Sequence, residues 1–391
     1  MAMTASSPTI LVLTNDAGLG HRKAAHAIAA AIEECYGDRL RPILANPIDD
    51  QSIPSYLRNL QTNYSQFVRQ VPSLYSLAHE FGNHYASTFL LERMAIRNLC
   101  HPLRRILERT HPDVIVTTHP VFVAPLVEYR RRYGETWRIV VLITDLARLQ
   151  RLWFRKEVDL YLMPTQEAAE LAHGHAIRPE NVRVTGVPID LRLAEKTPSK
   201  AELRAGFDWH PSLPTFIVAG SRRVHDFLSV LRAVNRSDLP IQLVVVTGDA
   251  EELLDDIRGI DWQIPAHIYG LVPDFPLFLR AADAIITKAG GLTVAEALGA
   301  GTPLFITQSL PLYERGNAAY VVQYGAGRRI SKLDKLGDAV QNSLAENGRI
   351  LREMSLHATE IGRPRAAYDA AEQIWALFVD PHREGFLAID N

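Results

Sequence analysis

A pair of adjacent glycines between an apolar run and a helical pattern constrains this chain more than any other feature. Ala284-Ile285-Ile286 reads as a buried strand, Gly290-Gly291 follows shortly after, and Leu292-Thr293-Val294-Ala295-Glu296-Ala297-Leu298 has helical spacing. Glycines at that junction let the backbone turn tightly and let a ligand approach the main chain. A helix opening on them offers unpaired N–H groups and the positive end of its dipole, which suits a diphosphate. Glu296 lies one turn further in, where a carboxylate can accept hydrogen bonds from ribose hydroxyls. Gly301-Thr302-Pro303 ends the helix, and Leu304-Phe305-Ile306 reads as the next strand. Tyr313-Glu314-Arg315-Gly316-Asn317 is then expected as a polar loop at that strand's carboxyl end, where open α/β sheets hold ligands.

An isolated Gly-Gly before a helix is more often a packing device than a site. The longer pattern is more specific. Thr287-Lys288-x-Gly290-Gly291-x-Thr293-x-x-Glu296-Ala297-Leu298-x-x-Gly301-x-Pro303, then Glu314-x-x-Asn317 and Gly325-Ala326-Gly327, resembles the donor half of the GT-B glycosyltransferases. The resemblance is to family 28: the monogalactosyl- and glucosyl-diacylglycerol synthases and, more distantly, the peptidoglycan N-acetylglucosaminyltransferase. It implies a UDP-sugar donor with its diphosphate over Gly290 and Gly291, its ribose on Glu296 and its hexose near Glu314 and Asn317. By the same resemblance Gly20, Gly220, Ser221, Arg222, Lys288, Leu292, Thr293 and Tyr313 complete the donor-binding set.

The opposite end of the chain carries a second match. Thr9 to Leu13 reads as a first strand, Thr14 to His21 as a glycine-containing turn, and Arg22 to Glu34 as an amphipathic helix with Ala24, Ala25, Ile28, Ala31 and Ile32 on one face. The third glycine of the dinucleotide fingerprint is absent, which argues against a Rossmann dehydrogenase. Gly18-x-Gly20-His21-Arg22-x-Ala24-Ala25 instead resembles the start of the diacylglycerol glycosyltransferases. His21 has two readings. It is a first-turn residue hydrogen-bonded to backbone, or it is the general base for an acceptor hydroxyl, a role suited to an imidazole of pKa about 6.5. Asp145, after the strand expected at Arg138 to Ile143, is the alternative base or the partner that orients His21. His119, in the polar turn after a strand from Pro112, either lines an acceptor site or hydrogen-bonds at the strand end. The resemblance places His119, Gln150 and Trp153 on the acceptor side.

Alternating strands and helices in both halves predict an α/β protein. The resemblance makes it GT-B: two Rossmann-like doubly wound parallel-sheet domains facing across a cleft. Residues 1–195 are expected to form the acceptor (lipid) domain, completed by a C-terminal helix within 365–391, and residues 196–364 the donor domain. Thr185-Gly186-x-Pro188-Ile189-Asp190 resembles the family's passage between domains, and the charged, proline-containing stretch Glu195 to Ser212 reads as linker. Tyr56 to Cys100 is rich in aromatics amid arginines. It reads as two or three helices broken near Pro72 and Gly82, most of whose rings pack into the core; the resemblance, which puts the equivalent insertion by the acceptor cleft, implies that some of them meet acyl chains or the membrane interface.

At 391 residues two domains are the better expectation, and 47% apolar with 22% charged residues is the balance of a globular protein. A net charge of −2 gives no reason to expect nucleic acid. Arg130-Arg131-Arg132 is a local basic cluster, either a solvated helix face or a hold on anionic lipid. The two cysteines, Cys35 and Cys100, have no metal-ligand spacing and read as free thiols. No charged and then apolar leader is visible, and no apolar run approaches the roughly 18 residues that span a bilayer. The expectation is a cytoplasmic protein, peripheral at most on the inner face of the cell membrane.

Three positions depart from the family pattern. Arg222-Arg223 stand where a second glycine-rich turn is usual. Gln150 and Arg155 occupy positions that carry histidines, and Leu312-Tyr313 stand where Gly-Gln accompanies the donor hexose. The expected activity is inverting transfer of a hexose from a UDP-sugar to a lipid hydroxyl, with diacylglycerol the first choice. His21 acts as base, and neither a cofactor nor a metal is needed. The alternatives are a non-catalytic sugar-nucleotide-binding protein, a UDP-N-acetylhexosamine epimerase, and a transferase acting on a soluble acceptor.

Overall fold

The structure, a computed structural model, describes residues 7–16, 19–55, 58, 85–196, 198–220, 227–235, 239–248, 250–308 and 313–379. Most of the aromatic insertion, with the breaks expected at Pro72 and Gly82, lies outside the described residues, as do Ser221, Arg222 and Arg223. The chain divides into two compact units. One comprises the described residues up to Leu191 together with those from Arg365 onward, and the other spans Arg192–Pro364.

In the first unit, β1 (Thr9–Leu13), β2 (Arg41–Ala45), β3 (Val114–Thr117), β4 (Arg138–Leu142), β5 (Leu160–Met163) and β6 (Val182–Val184) form one parallel sheet. Its strand order is β2-β1-β3-β4-β5-β6. The central strands are apolar along their whole length because helices cover both faces of a parallel sheet. On one face, Ile10, Val12, Val116 and Val140 meet helix α1 (Leu19–Tyr36) through Ala24, Ala25, Ile28 and Ile32. The last helix, Ala366–Val379, adds Ala367, Ala370, Ala371 and Ile374 to the same core. It is fastened by the Tyr36–Trp375 ring stack at 5.0 Å and by Tyr368 Oη donating to Glu34 at 3.0 Å. On the other face, Leu11, Ile115 and Val141 meet helix α2 (Tyr85–Thr110) through Leu99, Leu103 and Ile106, and helix α3 (Val123–Tyr133) through Leu126. Helix α4 (Gln166–His173) follows β5, its first turn capped by the Thr165 hydroxyl. Helix α1 begins three residues before the periodicity indicates, so Gly20 and His21 belong to its first turn.

The basic cluster is largely spoken for. Arg130 pairs with Asp159, and Arg131 with Glu128 at 2.9 Å. This supports the reading of an ordinary helix face at those two positions.

The second unit carries β7 (Thr215–Ala219), β8 (Gln242–Val246), β9 (Ala266–Tyr269), β10 (Ala284–Lys288), β11 (Leu304–Gln308) and β12 (Gly327–Arg329). They form a second parallel sheet in the order β12-β11-β10-β7-β8-β9. The stretch expected as linker is not irregular. Lys200–Gly206 is helix α5, closed by a capping box in which Ser199 and Glu202 bond each other's backbone N–H. Then come α6 (Phe227–Asn235), α7 (Leu254–Arg258), α8 (Phe275–Ala281), α9 (Gly291–Gly299), α10 (Tyr313–Gln323) and α11 (Leu336–Ile361). Helix α11 is interrupted at Ala345–Gly348, where Glu346, Asn347 and Gly348 are left-handed. The expected loop at Tyr313 to Asn317 is instead the first turns of α10. Asn317, Ala318, Tyr320 and Val321 are buried there, and this packing outweighs the poor helix propensity of Gly316.

Candidate functional site

In each sheet the strand order reverses at one place, between β1 and β3 in the first unit and between β7 and β10 in the second. Open parallel sheets bind ligands outside the carboxyl ends of the strands at such switch points. Both sequence motifs fall there.

In the first unit, Leu13 of β1 is in register with Thr117 of β3. The Thr118 backbone N–H donates to Leu13 O at 3.1 Å. The Thr118 hydroxyl shares its proton between Leu13 O (3.3 Å) and His21 O (3.1 Å), which ties the start of α1 to the end of β3. His21 Nδ1 lies 2.7 Å from Thr118 O and 3.1 Å from Thr144 Oγ1. A carbonyl oxygen accepts and never donates, so Nδ1 carries the hydrogen. In the neutral ring the lone pair is then on Nε2. Of the two readings of His21, the backbone hydrogen bond is present, and it is also what fixes the tautomer a base requires.

His119 packs edge-on against His21, ring centroids 4.6 Å apart. Its Nδ1 accepts from Val121 N at 3.2 Å and caps the short turn Pro120–Phe122. Burial, and then the neighbouring His21, hold the His119 imidazole well below its usual range, so it is neutral. The strand-end hydrogen bond of His119 is thus present.

Trp153, expected at the acceptor, is fully buried in the core with its ring 6.4 Å from that of His21. Its indole N–H has no hydrogen-bond partner. A ring with no exposed surface is packing, not lining. Gln150 is partly buried at the start of the turn Arg151–Trp153 and makes no capping bond. Arg155, at the second substituted histidine position, pairs with Glu92 of α2 at 2.8 Å. Burial raises the Glu92 carboxyl pKa, against the opposing pull of Arg155 and Arg151. Asp145 is partly buried beside Thr144, just past β4. Thr118 and Thr144, which hold His21, were not singled out in the sequence. Their signal is a threonine just past a buried strand.

In the second unit, Thr287 pairs with Ile306 and Lys288 with Gln308, so β11 carries one extra residue, Thr307, opposite the end of β10. Lys288 forms an ion pair with Glu314 of α10. Gly290 is the N-cap of α9 with φ −67° and ψ 133°, values open to any residue. Turning freedom is thus not its reason. A Cβ there would stand 3.2 Å from Lys288 Nζ. At Gly220 a Cβ would lie 2.5 Å from the Phe227 ring, so that glycine is required by packing at the end of β7.

Glu296 is only 3% exposed on α9, and Leu292 beside it is buried as well; Thr293 is partly buried. Asn317, expected to meet sugar hydroxyls, is fully buried and donates to Ala289 O at 3.1 Å. Its carboxamide N–H fastens α10 to the residue following β10. The Tyr313 side chain lies outside the described residues.

Residues 21–189 match the family model for monogalactosyldiacylglycerol (MGDG) synthase, and residues 215–374 that for the glycosyltransferase family 28 C-terminal domain. The chain belongs to the family 28 glycosyltransferases. It is 27% identical over 381 residues to monogalactosyldiacylglycerol synthase of Spinacia oleracea, covering 93% of this chain and 71% of that protein. Among solved structures it is similar to MurG of Acinetobacter baumannii, with a TM-score of 0.60 at 13% identity, covering 94% of this chain and 99% of that one. The Anabaena protein HepE, solved with UDP-glucose, gives a TM-score of 0.55 at 14% identity, covering 94% and 99%. These likenesses establish the GT-B fold of this family 28 chain. Among its described residues no helix is long and apolar enough to cross a membrane.

Proposed function

We propose that this glycosyltransferase moves a hexose from a UDP-sugar to the hydroxyl of a lipid acceptor, diacylglycerol first, with inversion at the anomeric carbon. The observation that carries the reading is His21, an imidazole with a fixed tautomer at the switch point of the half that matches the MGDG synthase model. Its Nε2 takes the acceptor proton as the hydroxyl attacks, and Asp145 is the alternative base. The second unit supplies the other requirement, a seat for the departing diphosphate at the start of α9, with Glu296 toward the ribose and Glu314 toward the hexose. The names of the spinach relative and of the HepE complex support a galactolipid-type acceptor and a UDP-linked donor. No divalent ion is part of the proposal.

A lipid acceptor asks for contact with a bilayer, and α2 offers a surface for it. Phe89, Leu90, Leu91 and Met94 are exposed, and the Arg93 guanidinium lies 5.6 Å from the Phe89 ring centre. Apolar side chains flanked by cations suit an anionic interface.

The test is to incubate the purified protein with a panel of UDP-sugars and diacylglycerol vesicles, with and without chelator, and to identify products by mass. A hexosyl-diacylglycerol formed in the presence of chelator is expected. Binding of UDP with no turnover on any lipid would favour a non-catalytic binder instead. A new nucleotide sugar made from donor alone would favour an epimerase.

A further inference from the structure

The Lys288–Glu314 pair joins the end of β10 to the first turn of α10, beside the start of α9. The two side chains are 18% and 12% exposed, so each charge has lost most of its water, a loss that an ion pair alone seldom recovers. The ammonium also stands beside the residue that opens α9, next to the positive end of that helix, where a cation is disfavoured and an anion favoured. Asn317, bonded to Ala289, holds the helix that carries Glu314 against the end of β10. Because residue 290 is glycine, the space beside Lys288 Nζ and 3.9 Å from Glu314 Oε1 is not filled by a side chain. Charge, position and clearance suit an incoming anion.

We propose that Lys288 is the cation of the leaving-group site and that it exchanges partners on donor binding. The ammonium passes from the Glu314 carboxylate to the β-phosphate of a nucleoside diphosphate sugar, and the released carboxylate turns to the hexose hydroxyls. The inference rests on the UDP-sugar reading above. In the transfer step the bond between the anomeric carbon and the β-phosphate oxygen breaks, and its electron pair stays on that oxygen. The acceptor oxygen bonds the anomeric carbon, and its proton goes to the base. Lys288 remains protonated throughout and offsets the charge that builds on the diphosphate. The exchange also links the two halves of donor recognition, since Glu314 is released only when a β-phosphate has claimed Lys288.

Calorimetric titration with UDP and with UMP tests this, because UMP lacks the β-phosphate. Lys288→Met is expected to weaken UDP by about tenfold or more while leaving UMP unchanged, and Lys288→Arg to restore most of the loss. Glu314→Gln releases the ammonium in advance. It is expected to bind UDP more tightly than wild type while its hexose turnover falls. The double variant Lys288→Met/Glu314→Gln leaves no lone buried charge, so it remains informative if Lys288→Met fails to fold; its preference for UDP over UMP should fall by about tenfold or more. An unchanged UDP-to-UMP ratio in Lys288→Met or in the double variant, or weaker UDP binding in Glu314→Gln, overturns the exchange. Wild-type protein that binds neither nucleotide overturns the donor reading as well, which is a different result.

Discussion

His21 Nδ1 and the carbonyl oxygen of Thr118 are 2.7 Å apart, a contact between residues 97 positions apart in the chain. It commits one ring nitrogen to the backbone and leaves proton acceptance to the other. His21→Ala should therefore lower kcat by two to four orders of magnitude, roughly the range for loss of a positioned base. UDP affinity should stay within about twofold, since the proposed diphosphate seat lies in the other unit. Steady-state kinetics beside UDP titration check this, and loss of both together would remove the assignment. Thr144→Val deletes the weaker restraint and keeps the Thr118 contact, so its effect on kcat should be tenfold or less, about the value of one neutral hydrogen bond.

Stability should depend on pH through His119. Burial and the facing His21 hold its folded-state pKa well below the ordinary value, whereas in the unfolded chain it titrates near 6.5. As pH falls below that value the unfolded chain gains a proton that the folded chain refuses. Stability then drops, by up to about 1.4 kcal/mol per pH unit, until the folded pKa is passed. His175 and His267, also lowered chiefly by burial, act in the same direction. His119→Asn keeps an acceptor for Val121 N but cannot titrate. Its urea midpoint should thus change less than wild type between about pH 5 and 6.5, and parallel curves would count against the account.

The parts of this protein legible in sequence are those whose signal is local. β1 is bounded correctly from its apolar run alone, and α9 to within one residue at each end from its glycines and periodicity. What failed needed tertiary information. Tyr-Glu-Arg-Gly-Asn looks like a loop until Asn317 is seen bonded to Ala289 and Val321 buried behind it. The role of Thr144 depends on a contact 123 residues away. Nothing in Arg151-Leu152-Trp153 separates a lining aromatic from a core one, because buried Trp is common in both settings. One miss was avoidable: Ser199-x-x-Glu202 is a capping-box signature, obscured by the charged and proline-containing stretch around it.

Two glycines of the second unit should respond oppositely to alanine. At Gly220 the new methyl would lie 2.5 to 2.7 Å from three carbons of the Phe227 ring, which a packed core cannot yield cheaply. Gly220→Ala should cost about 1 to 3 kcal/mol, partly relieved by Phe227→Leu in the same chain. At Gly290 the backbone is unstrained for alanine, and the nearest atom is the tip of a flexible lysine. Gly290→Ala should melt within about 2 °C of wild type yet bind UDP about tenfold more weakly, as the methyl intrudes on the approach to α9. Thermal melts and UDP titration on both variants separate packing from binding, and a Gly290→Ala protein with wild-type affinity would place the diphosphate elsewhere.

Arg204 shows how the stretch expected as linker supports the second sheet. Only 6% exposed, it donates from Nε to Ala281 O at 2.8 Å and from Nη1 to Pro211 O and Leu213 O at 3.3 and 3.2 Å. Its Nη2 reaches Asp283 Oδ2 at 2.6 Å, and the same carboxylate oxygen accepts from Thr215 N at 2.8 Å. One guanidinium therefore joins α5, the approach to β7 and the approach to β10, the two strands that flank the switch point. Asp283 also pairs with Lys200 at 3.0 Å, but that cation is nearly half exposed and cannot take over a buried role. Arg204→Met takes the buried cation from Asp283 and this donor from Ala281 O and Pro211 O, and should destabilise by about 3 kcal/mol, the lower end of the usual range for breaking a buried pair, because Asp283 keeps Thr215 N and Lys200. Asp283→Asn keeps an acceptor for Thr215 N and should cost less. Because the two substitutions remove the same interaction, the double variant should fall short of the sum by about 1 to 3 kcal/mol in urea unfolding. Strict additivity would mean that Arg204 acts by filling space alone.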